Sequence, residues 1–313
     1  MYGRGGCHAP GSRRHHGGVT HQRAQLGLVL GGTGVRGLSG AGALGALDRA
    51  GLSPDVLVGV STAAVVAAAY AARTDWSDGL RAMDRSRLPS TAGVADDETF
   101  ARLRGALRSA RQLAPSVWTW GRQGYESFGR RSLDSLLGAS LTFDETRIPL
   151  ALVATDLGEG ARAILDHGLV AEAALASSAL PGVTRPIWRG EHLLVDGAFS
   201  DPAPVDVARD LGADVVVVVA PAGPSLVGAD EPEGPVSGLL RGIELGQRAF
   251  VEERLSDADV ALRPDLGPDV RVLDFSSLDE AARRAGADAT VAAPQISAML
   301  AAHQRQAVGR RRG

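Results

Sequence analysis

The chain has 313 residues, enough for one large α/β domain with a sizeable buried core. Its 33 basic and 36 acidic residues nearly cancel, so the charge balance argues against specific binding of DNA or RNA. Every basic residue in that count is arginine, which excludes mechanisms that need a lysine amine. The single cysteine, Cys7, can form neither an intramolecular disulfide nor a cysteine metal cluster, and it favours a reducing compartment.

Three segments define the domain organisation that the sequence predicts. Residues 1–24 are rich in Gly, His and Arg, lack the apolar stretch of a signal peptide, and are expected to be a disordered leader. Residues 25–290 are expected to form one α/β domain, with residues 75–140 as a helical insertion. Residues 291–313 are expected to form a C-terminal helix that ends in a frayed basic tail.

Apolar runs in the central segment alternate between strand-like and helix-like patterns. This alternation predicts a βαβ fold with a mixed or mostly parallel sheet. Strands are predicted at 25–30, 55–60, 149–157, 191–199, 213–221 and 258–263, and helices after the loop 31–37, at 168–180, near 236–254 and near 277–286.

Residues 59–63, with the sequence GVSTA, lie between a predicted strand and an apolar helix. A serine at such a sharp strand-to-helix turn projects its hydroxyl above the sheet, as in the nucleophile elbow of serine hydrolases. The N-terminus of the following helix also favours negative charge near that hydroxyl. Ser61 is therefore a candidate nucleophile, although a serine before a helix is also a common N-cap.

Residues 31–37 form a glycine loop, GGTGVRG, directly after the first predicted strand. Backbone N–H groups of such a loop can stabilise the oxyanion of an acyl-transfer reaction. The same glycines, Gly32, Gly34 and Gly37, also satisfy the dinucleotide-binding fingerprint. That fingerprint requires an acidic residue at the end of the second strand, whereas Asp55 stands at its beginning, so we favour the oxyanion interpretation.

An Asp-Gly pair, Asp196 and Gly197, follows the apolar run HLLV. A carboxylate at the carboxyl end of a strand can face a site at the top of an α/β sheet, although an Asp-Gly pair by itself is more often a turn. Histidine bases are poorly placed, because His167 and His192 lie on predicted loop or strand edges and His303 lies in the terminal segment. Asp196 is therefore the candidate general base.

The order of glycine loop, strand, elbow serine and late Asp-Gly pair resembles the patatin-like phospholipases, from about residue 25 to residue 221. The segments IPLALVATDL, ALASSALPGV and LLVDGAFSDPAPVDVARDLGADVVVVV are also similar to that family. The resemblance implies a three-layer α/β/α sandwich around a mostly parallel sheet. It also implies hydrolysis of lipid acyl esters, with no metal ion and no organic cofactor.

The resemblance assigns the chemistry to a Ser-Asp dyad, here Ser61 and Asp196. Ser61 would attack an ester carbonyl to form an acyl-enzyme, and Asp196 would accept the serine proton and later activate water. The oxyanion hole and the glycines that support the two motifs would be Gly32, Thr33, Gly34 and Arg36, with Gly37, Gly59 and Gly197.

Two positions depart from the family's pattern. Thr33 replaces the middle glycine of the oxyanion loop, and a β-branched residue resists positive φ. Ala63 replaces the last glycine of the elbow, where a methyl group is expected to crowd the turn. Loss of one oxyanion donor costs roughly 100- to 1000-fold in turnover. The alternative function is therefore a weakly active or inactive lipid-binding or regulatory protein on the same fold.

The expected partner is a lipid or other ester substrate. Transient contact with a membrane surface is expected, because no segment of the sequence is predicted to span or anchor in a bilayer. We expect a cytoplasmic protein that is peripheral at the membrane, without a nucleic-acid partner. The sequence does not indicate an oligomeric state.

Overall fold

A mixed sheet of eight strands runs through the part of the chain that the computed structural model describes. The described residues are 23–83, 125–181, 184–222, 235–267, 270 and 275–312. The expected leader up to residue 22, and residues 84–124 of the expected helical insertion, lie outside them.

The sheet and its covering helices follow the alternation predicted from the sequence. The strands are β1 (Leu26–Leu30), β2 (Val56–Val60), β3 (Leu150–Asp156), β4 (Ala161–Leu165), β5 (Ile187–Arg189), β6 (His192–Asp196), β7 (Val215–Val219) and β8 (Val260–Leu262). The helices are α1 (Val35–Arg49), α2 (Ala63–Ala72), α3 (Trp76–Ala82), α4 (Tyr125–Leu137), α5 (Val170–Ser177), α6 (Val205–Asp210), α7 (Pro235–Leu255) and α8 (Leu278–Arg312).

Five strands run parallel to one another, in the order β3-β2-β1-β7-β8, with β8 at the edge of the sheet. The antiparallel strands lie at one side, where β4 and β6 pair with β3 and β5 pairs with β6. All five residues of β7 are buried valines, a composition that is typical of a parallel strand covered on both faces.

Helices cover both faces of the sheet. Because side chains alternate between the faces of a strand, neighbouring residues of β1 to β3 enter two separate cores. One core contains Leu28, Leu57 and Leu152 together with helices α1, α2, α5 and α8. The other contains Val29, Val58 and Val153 together with α6 and the end of α7. The predicted three-layer α/β/α sandwich is confirmed.

Strand β3 uses one of its edges for two partners in succession. Leu152 and Val153 pair with both β2 and β4, so β2 and β4 lie on opposite edges of β3. The last three residues of β3 pair with both β4 and β6. Strand β6 therefore lies on the same edge of β3 as β2, beyond the point where the pairing with β2 ends. Val60 pairs with Val153, and Asp196 pairs with Ala154. The ends of β2 and β6 therefore meet at adjacent positions of β3.

The sequence prediction missed two short strands. Strand β4 is partly exposed along most of its length, and β5 has only three residues, so neither carries the continuous apolar run that marks the central strands. The predicted helix near 277–286 is also too short. Helix α8 extends from Leu278 to Arg312, well beyond the predicted end of that helix.

Helix α8 packs closely against α1, the helix that begins at Val35 within the glycine-loop segment. A Cβ atom on Gly42 of α1 would lie 1.8 Å from the backbone oxygen of Ala282 in α8. Gly286, one turn further along α8, also faces Gly42, and a Cβ atom there would lie 3.1 Å from the Gly42 oxygen. The absence of side chains at these glycines allows the two helices to approach, and the contact anchors α1 against the C-terminal helix.

Gly42→Ala is expected to lower the free energy of unfolding by about 1–3 kcal/mol, because the added methyl forces α1 and α8 apart. Gly40→Ala on the same helix is the matched control. Its Cβ atom would make only an ordinary contact, 3.7 Å from Leu30, and alanine has the higher helix propensity. Urea unfolding compares the two variants, and equal midpoints would contradict the explanation.

Candidate active site

Ser61 occupies a strained turn between β2 and α2. Its φ is 59°, and among the described residues it is the one non-glycine residue with a positive φ. Helix α2 starts at Ala63, so the backbone reverses direction sharply just beyond Ser61. Gly59 allows this turn, because a Cβ atom there would lie 2.6 Å from the Cα atom of Ala64. A serine at such a strained strand-to-helix turn has the geometry of a nucleophile elbow.

Ser61 and Asp196 are in direct contact. The Ser61 Oγ donates a hydrogen bond of 2.6 Å to Asp196 Oδ2, between residues that are 135 positions apart in the sequence. The other carboxylate oxygen of Asp196 accepts the backbone N–H of Ala198 at 2.9 Å. Gly197 passes close to β3, where a Cβ atom would lie 2.0 Å from the carbonyl oxygen of Val153. The meeting of β2 and β6 on β3 thus places the serine hydroxyl on the carboxylate.

Burial sets the acidity of Asp196. Both Ser61 and Asp196 are 0% exposed. Loss of solvent disfavours the ionised carboxylate and raises the pKa of Asp196 to about 6, against the opposing effect of the hydrogen bonds from Ser61 and the Ala198 N–H. A carboxylate with this pKa is ionised at neutral pH and accepts a proton more readily than an exposed aspartate, as a general base requires.

Ser177 is a supporting residue that sequence reasoning missed. Its Oγ accepts the backbone N–H of Ser61 at 3.1 Å and donates to the carbonyl oxygen of Val153 at 2.6 Å. Ser177 is fully buried at the end of α5, so it links the elbow to β3 without contact with solvent. The available signal was a serine at the end of the apolar helix in the segment ALASSALPGV, but its role depends on a contact 116 positions away.

Ser177→Ala is expected to lower the free energy of unfolding by about 1–3 kcal/mol, because the buried N–H of Ser61 loses its acceptor. The control is Ser178→Ala, which removes a hydroxyl that bonds only within its own helix, to Ala174 and Leu175. We expect a change within about 0.5 kcal/mol for the control. Chemical unfolding curves of the two variants measure the difference, and similar losses in both would contradict the assigned role of Ser177.

The glycine loop reaches its conformation without a positive φ at Thr33. Gly32 has a φ of 111° and Gly34 a φ of 61°, whereas Thr33 is not among the described residues with positive φ. The expected conflict between a β-branched residue and positive φ is therefore absent. The Thr62 hydroxyl donates to the carbonyl of Gly34 at 2.7 Å and lies 3.3 Å from that of Gly32, so the loop is tied to the elbow.

The start of α1 lies against the elbow. A Cβ atom on Gly37 would lie 2.1 Å from the Gly32 oxygen and 2.6 Å from the Ala63 nitrogen. Arg36 is half-buried in the first turn of α1, whose backbone N–H groups have no acceptors within the helix. Ala63 is fully buried in the apolar core, and its φ lies outside the left-handed region that would favour glycine. The methyl group is therefore accommodated at this position.

The histidines considered as alternative bases lie in other surroundings. His192 Nδ1 is 2.5 Å from the carboxylate of Asp156, which also accepts backbone N–H groups at the turn between β3 and β4. His167 pairs with its neighbour Asp166, and both side chains are exposed. His303 lies on α8, half-exposed. Among these candidate bases, Asp196 is the one whose side chain accepts the Ser61 hydroxyl in the described structure.

The dinucleotide interpretation of the glycine loop loses its remaining support. Asp55 accepts the backbone N–H of Leu26 and therefore lies where β1 and β2 begin. The glycine loop lies at the other end of β1. The end of β2, where a ribose-binding acid would stand, leads into Ser61.

The described residues contain no group of three or more His, Cys, Asp or Glu side chains that could hold a metal ion. None of the helices in the described ranges has both the length and the apolar character needed to cross a bilayer.

Residues 28–209 match the sequence profile of the family described as Patatin-like phospholipase. The chain belongs to the patatin-like phospholipase family. The matched residues include both members of the Ser61–Asp196 contact and the complete glycine loop.

Individual relatives share this region. An uncharacterised NTE family protein of Mycobacterium tuberculosis is 28% identical over 297 residues, which cover 87% of this chain and 47% of that protein. Patatin-like phospholipase domain-containing protein 7 of Rattus norvegicus is 27% identical over 196 residues, 62% of this chain and 13% of the rat protein. The chain thus spans about half the length of the mycobacterial relative and a smaller share of the rat protein.

A solved structure shares the fold. The crystal structure of VipD from Legionella pneumophila superposes with a TM-score of 0.53 and 16% sequence identity, over 89% of this chain and 67% of VipD. The patatin-like fold is therefore common to both proteins.

Proposed function

We propose that this patatin-like protein hydrolyses carboxylic esters of lipids, with Ser61 as the nucleophile and Asp196 as the general base. The observation that carries the proposal is the 2.6 Å hydrogen bond from Ser61 Oγ to a fully buried carboxylate. A serine hydroxyl is a weak nucleophile until a neighbouring base accepts its proton. The carboxylate of Asp196 is in position to accept that proton directly.

Two half-reactions follow from this geometry. In acylation, Ser61 Oγ forms a bond to the ester carbonyl carbon while its proton passes to Asp196 Oδ2; the alcohol then leaves and takes this proton. In deacylation, a water molecule gives a proton to Asp196 and attacks the acyl carbon, and the bond to Oγ breaks as Oγ regains a proton. Asp196 is ionised again at the end, as catalysis requires.

The glycine loop is the proposed oxyanion hole. Residues 32–36 lie beside the elbow, where Thr62 ties the loop to the start of α2. Backbone N–H groups of this loop and of the first turn of α1 are the donors that we assign to the oxyanion, and the helix N-terminus adds favourable electrostatic potential. The proposed residues are Gly32, Thr33, Gly34 and Arg36.

Family membership supports a lipid as the substrate. Proteins of this family are described as phospholipases, and a phospholipid carries the carboxylic ester that the Ser-Asp pair can cleave. Because lipids aggregate in water, we propose transient contact with a membrane surface. Ser61 and Asp196 are both buried, so substrate entry requires a local opening of the structure.

Purified wild type is expected to react covalently with a fluorophosphonate probe and to hydrolyse a short p-nitrophenyl ester, because both reactions need an activated serine. Ser61→Ala is expected to abolish labelling and turnover, and Asp196→Asn to reduce turnover by at least about 1000-fold, since the base is lost. Labelling is measured with and without phospholipid vesicles, because the buried serine has to become accessible.

The matched control for the serine is Ser178→Ala, which removes a hydroxyl just after α5 and outside the Ser-Asp contact, and should keep labelling and turnover. A well-folded wild type that stays unlabelled under both conditions would reject hydrolysis and favour the alternative of a lipid-binding protein without activity. Labelling that persists in Ser61→Ala would assign the nucleophile to another residue.

The rate should rise with pH through about 6, because Asp196 accepts the serine proton only when ionised and burial raises the pKa of Asp196 to about 6. Below that pH, kcat/KM should fall about tenfold per pH unit. A histidine could produce a similar profile, so His192→Gln serves as the control and should keep the same midpoint. A midpoint near 4, or one that disappears with His192, would contradict the role of Asp196.

A further inference from the structure

The side chain of Thr33 lies next to the nucleophile. Its Oγ1 is 3.2 Å from Ser61 Oγ, which in turn is 2.6 Å from Asp196 Oδ2, so three side chains form a continuous chain of oxygens. The family's pattern has glycine at this position of the loop, and glycine has no side chain with which to make the contact. Thr33 therefore adds a polar group that the dyad alone does not contain.

The donor in each contact follows from the number of protons. A serine hydroxyl has one proton, and an ionised carboxylate has none to give. The short contact to Asp196 uses the Ser61 proton, because a charged acceptor forms the stronger hydrogen bond. In the contact between Thr33 and Ser61 the donor is then the Thr33 hydroxyl, and the acceptor is a lone pair of Ser61 Oγ.

We propose that Thr33 is a third catalytic residue, whose hydroxyl donates a hydrogen bond to the reacting oxygen of Ser61. This inference rests on the proposed function, because it concerns charge on Oγ during ester hydrolysis. Oγ becomes more negative as its proton passes to Asp196 in acylation. The same oxygen gains negative charge again as the bond between Oγ and the acyl carbon breaks in deacylation, while Asp196 returns the proton. A donor held at Oγ stabilises both states.

The backbone holds Thr33 in place for this role. The glycines on either side, Gly32 and Gly34, take the positive φ angles of the loop, so Thr33 itself does not need the positive φ that a β-branched residue resists. Branching at Cβ restricts χ1, which limits the loss of side-chain entropy when the hydroxyl is fixed. Thr33 is partly exposed whereas Ser61 is buried, so the threonine lies on the more accessible side of the nucleophile.

The simplest competing explanation is that the Thr33 methyl group only fills space beside the elbow. The two explanations predict opposite results for two conservative variants. Thr33→Val keeps the shape and removes the hydroxyl, whereas Thr33→Ser keeps the hydroxyl and removes the methyl group. If the hydroxyl donates to a charged oxygen, Thr33→Val should lose activity. If the methyl group only fills space, Thr33→Ser should lose activity instead.

The experiment measures the rate of fluorophosphonate labelling, the burst of p-nitrophenol and the steady-state turnover of the full chain, for wild type, Thr33→Val and Thr33→Ser. Thr33→Val should slow all three by about 10- to 100-fold, the effect of one hydrogen bond to a charged group. Thr33→Ser should stay within about threefold of wild type, which a role in packing alone would not predict. Thermal unfolding checks that each variant is folded, and Thr33→Ala replaces the valine variant if that protein fails to fold.

Equal rates for wild type and Thr33→Val would overturn the inference and leave the proposed function standing. A loss in Thr33→Ser as large as the loss in Thr33→Val would also overturn it, because shape would then be the cause. A wild type that neither reacts with the probe nor releases p-nitrophenol would reject the proposed function itself, and the inference with it.

Discussion

Strand β3 offers one edge to two strands that approach from opposite directions. Parallel strand β2 pairs with its first half and antiparallel strand β6 with its second half, and the change of partner falls between Val153 and Ala154. The residue that follows β2 therefore lies next to the residue that ends β6. Ser61 follows β2 and Asp196 ends β6, so the pairing of main chains brings the two side chains into contact. The rest of the candidate site depends on this junction.

The junction is tightly packed because glycine and serine occupy it. Gly59 and Gly197 stand where a side chain would collide with the backbone, and the Ser177 hydroxyl satisfies the N–H of the strained elbow. Close packing excludes water from Asp196 and raises its pKa to about 6. Strain at Ser61 and an ionised carboxylate in the interior both cost stability, and the two packed cores on either side of the sheet offset that cost. The same features support the function that we propose.

The two departures from the family's pattern have different consequences from those expected. Both were anticipated as obstacles, because a side chain replaced glycine. At residue 63 the backbone is helical and the methyl group packs in the core. At residue 33 the neighbouring glycines take up the unusual φ angles, and the threonine hydroxyl reaches Ser61. A substitution at a motif position is thus judged by the φ angle and the contacts of that position, which the motif alone does not give.

The sequence by itself determined the succession of the central strands and helices along the chain, the family, and the candidates Ser61 and Asp196. These follow from local patterns, because apolar runs, glycine loops and strand-to-helix turns are recorded in neighbouring residues. Strands β4 and β5 escaped prediction because edge strands are short or partly exposed. Only the tertiary structure decided that Ser177 supports the elbow, that Thr33 contacts the nucleophile and that the pKa of Asp196 is raised. Each of these depends on distances and burial between residues far apart in the chain, which no local pattern contains.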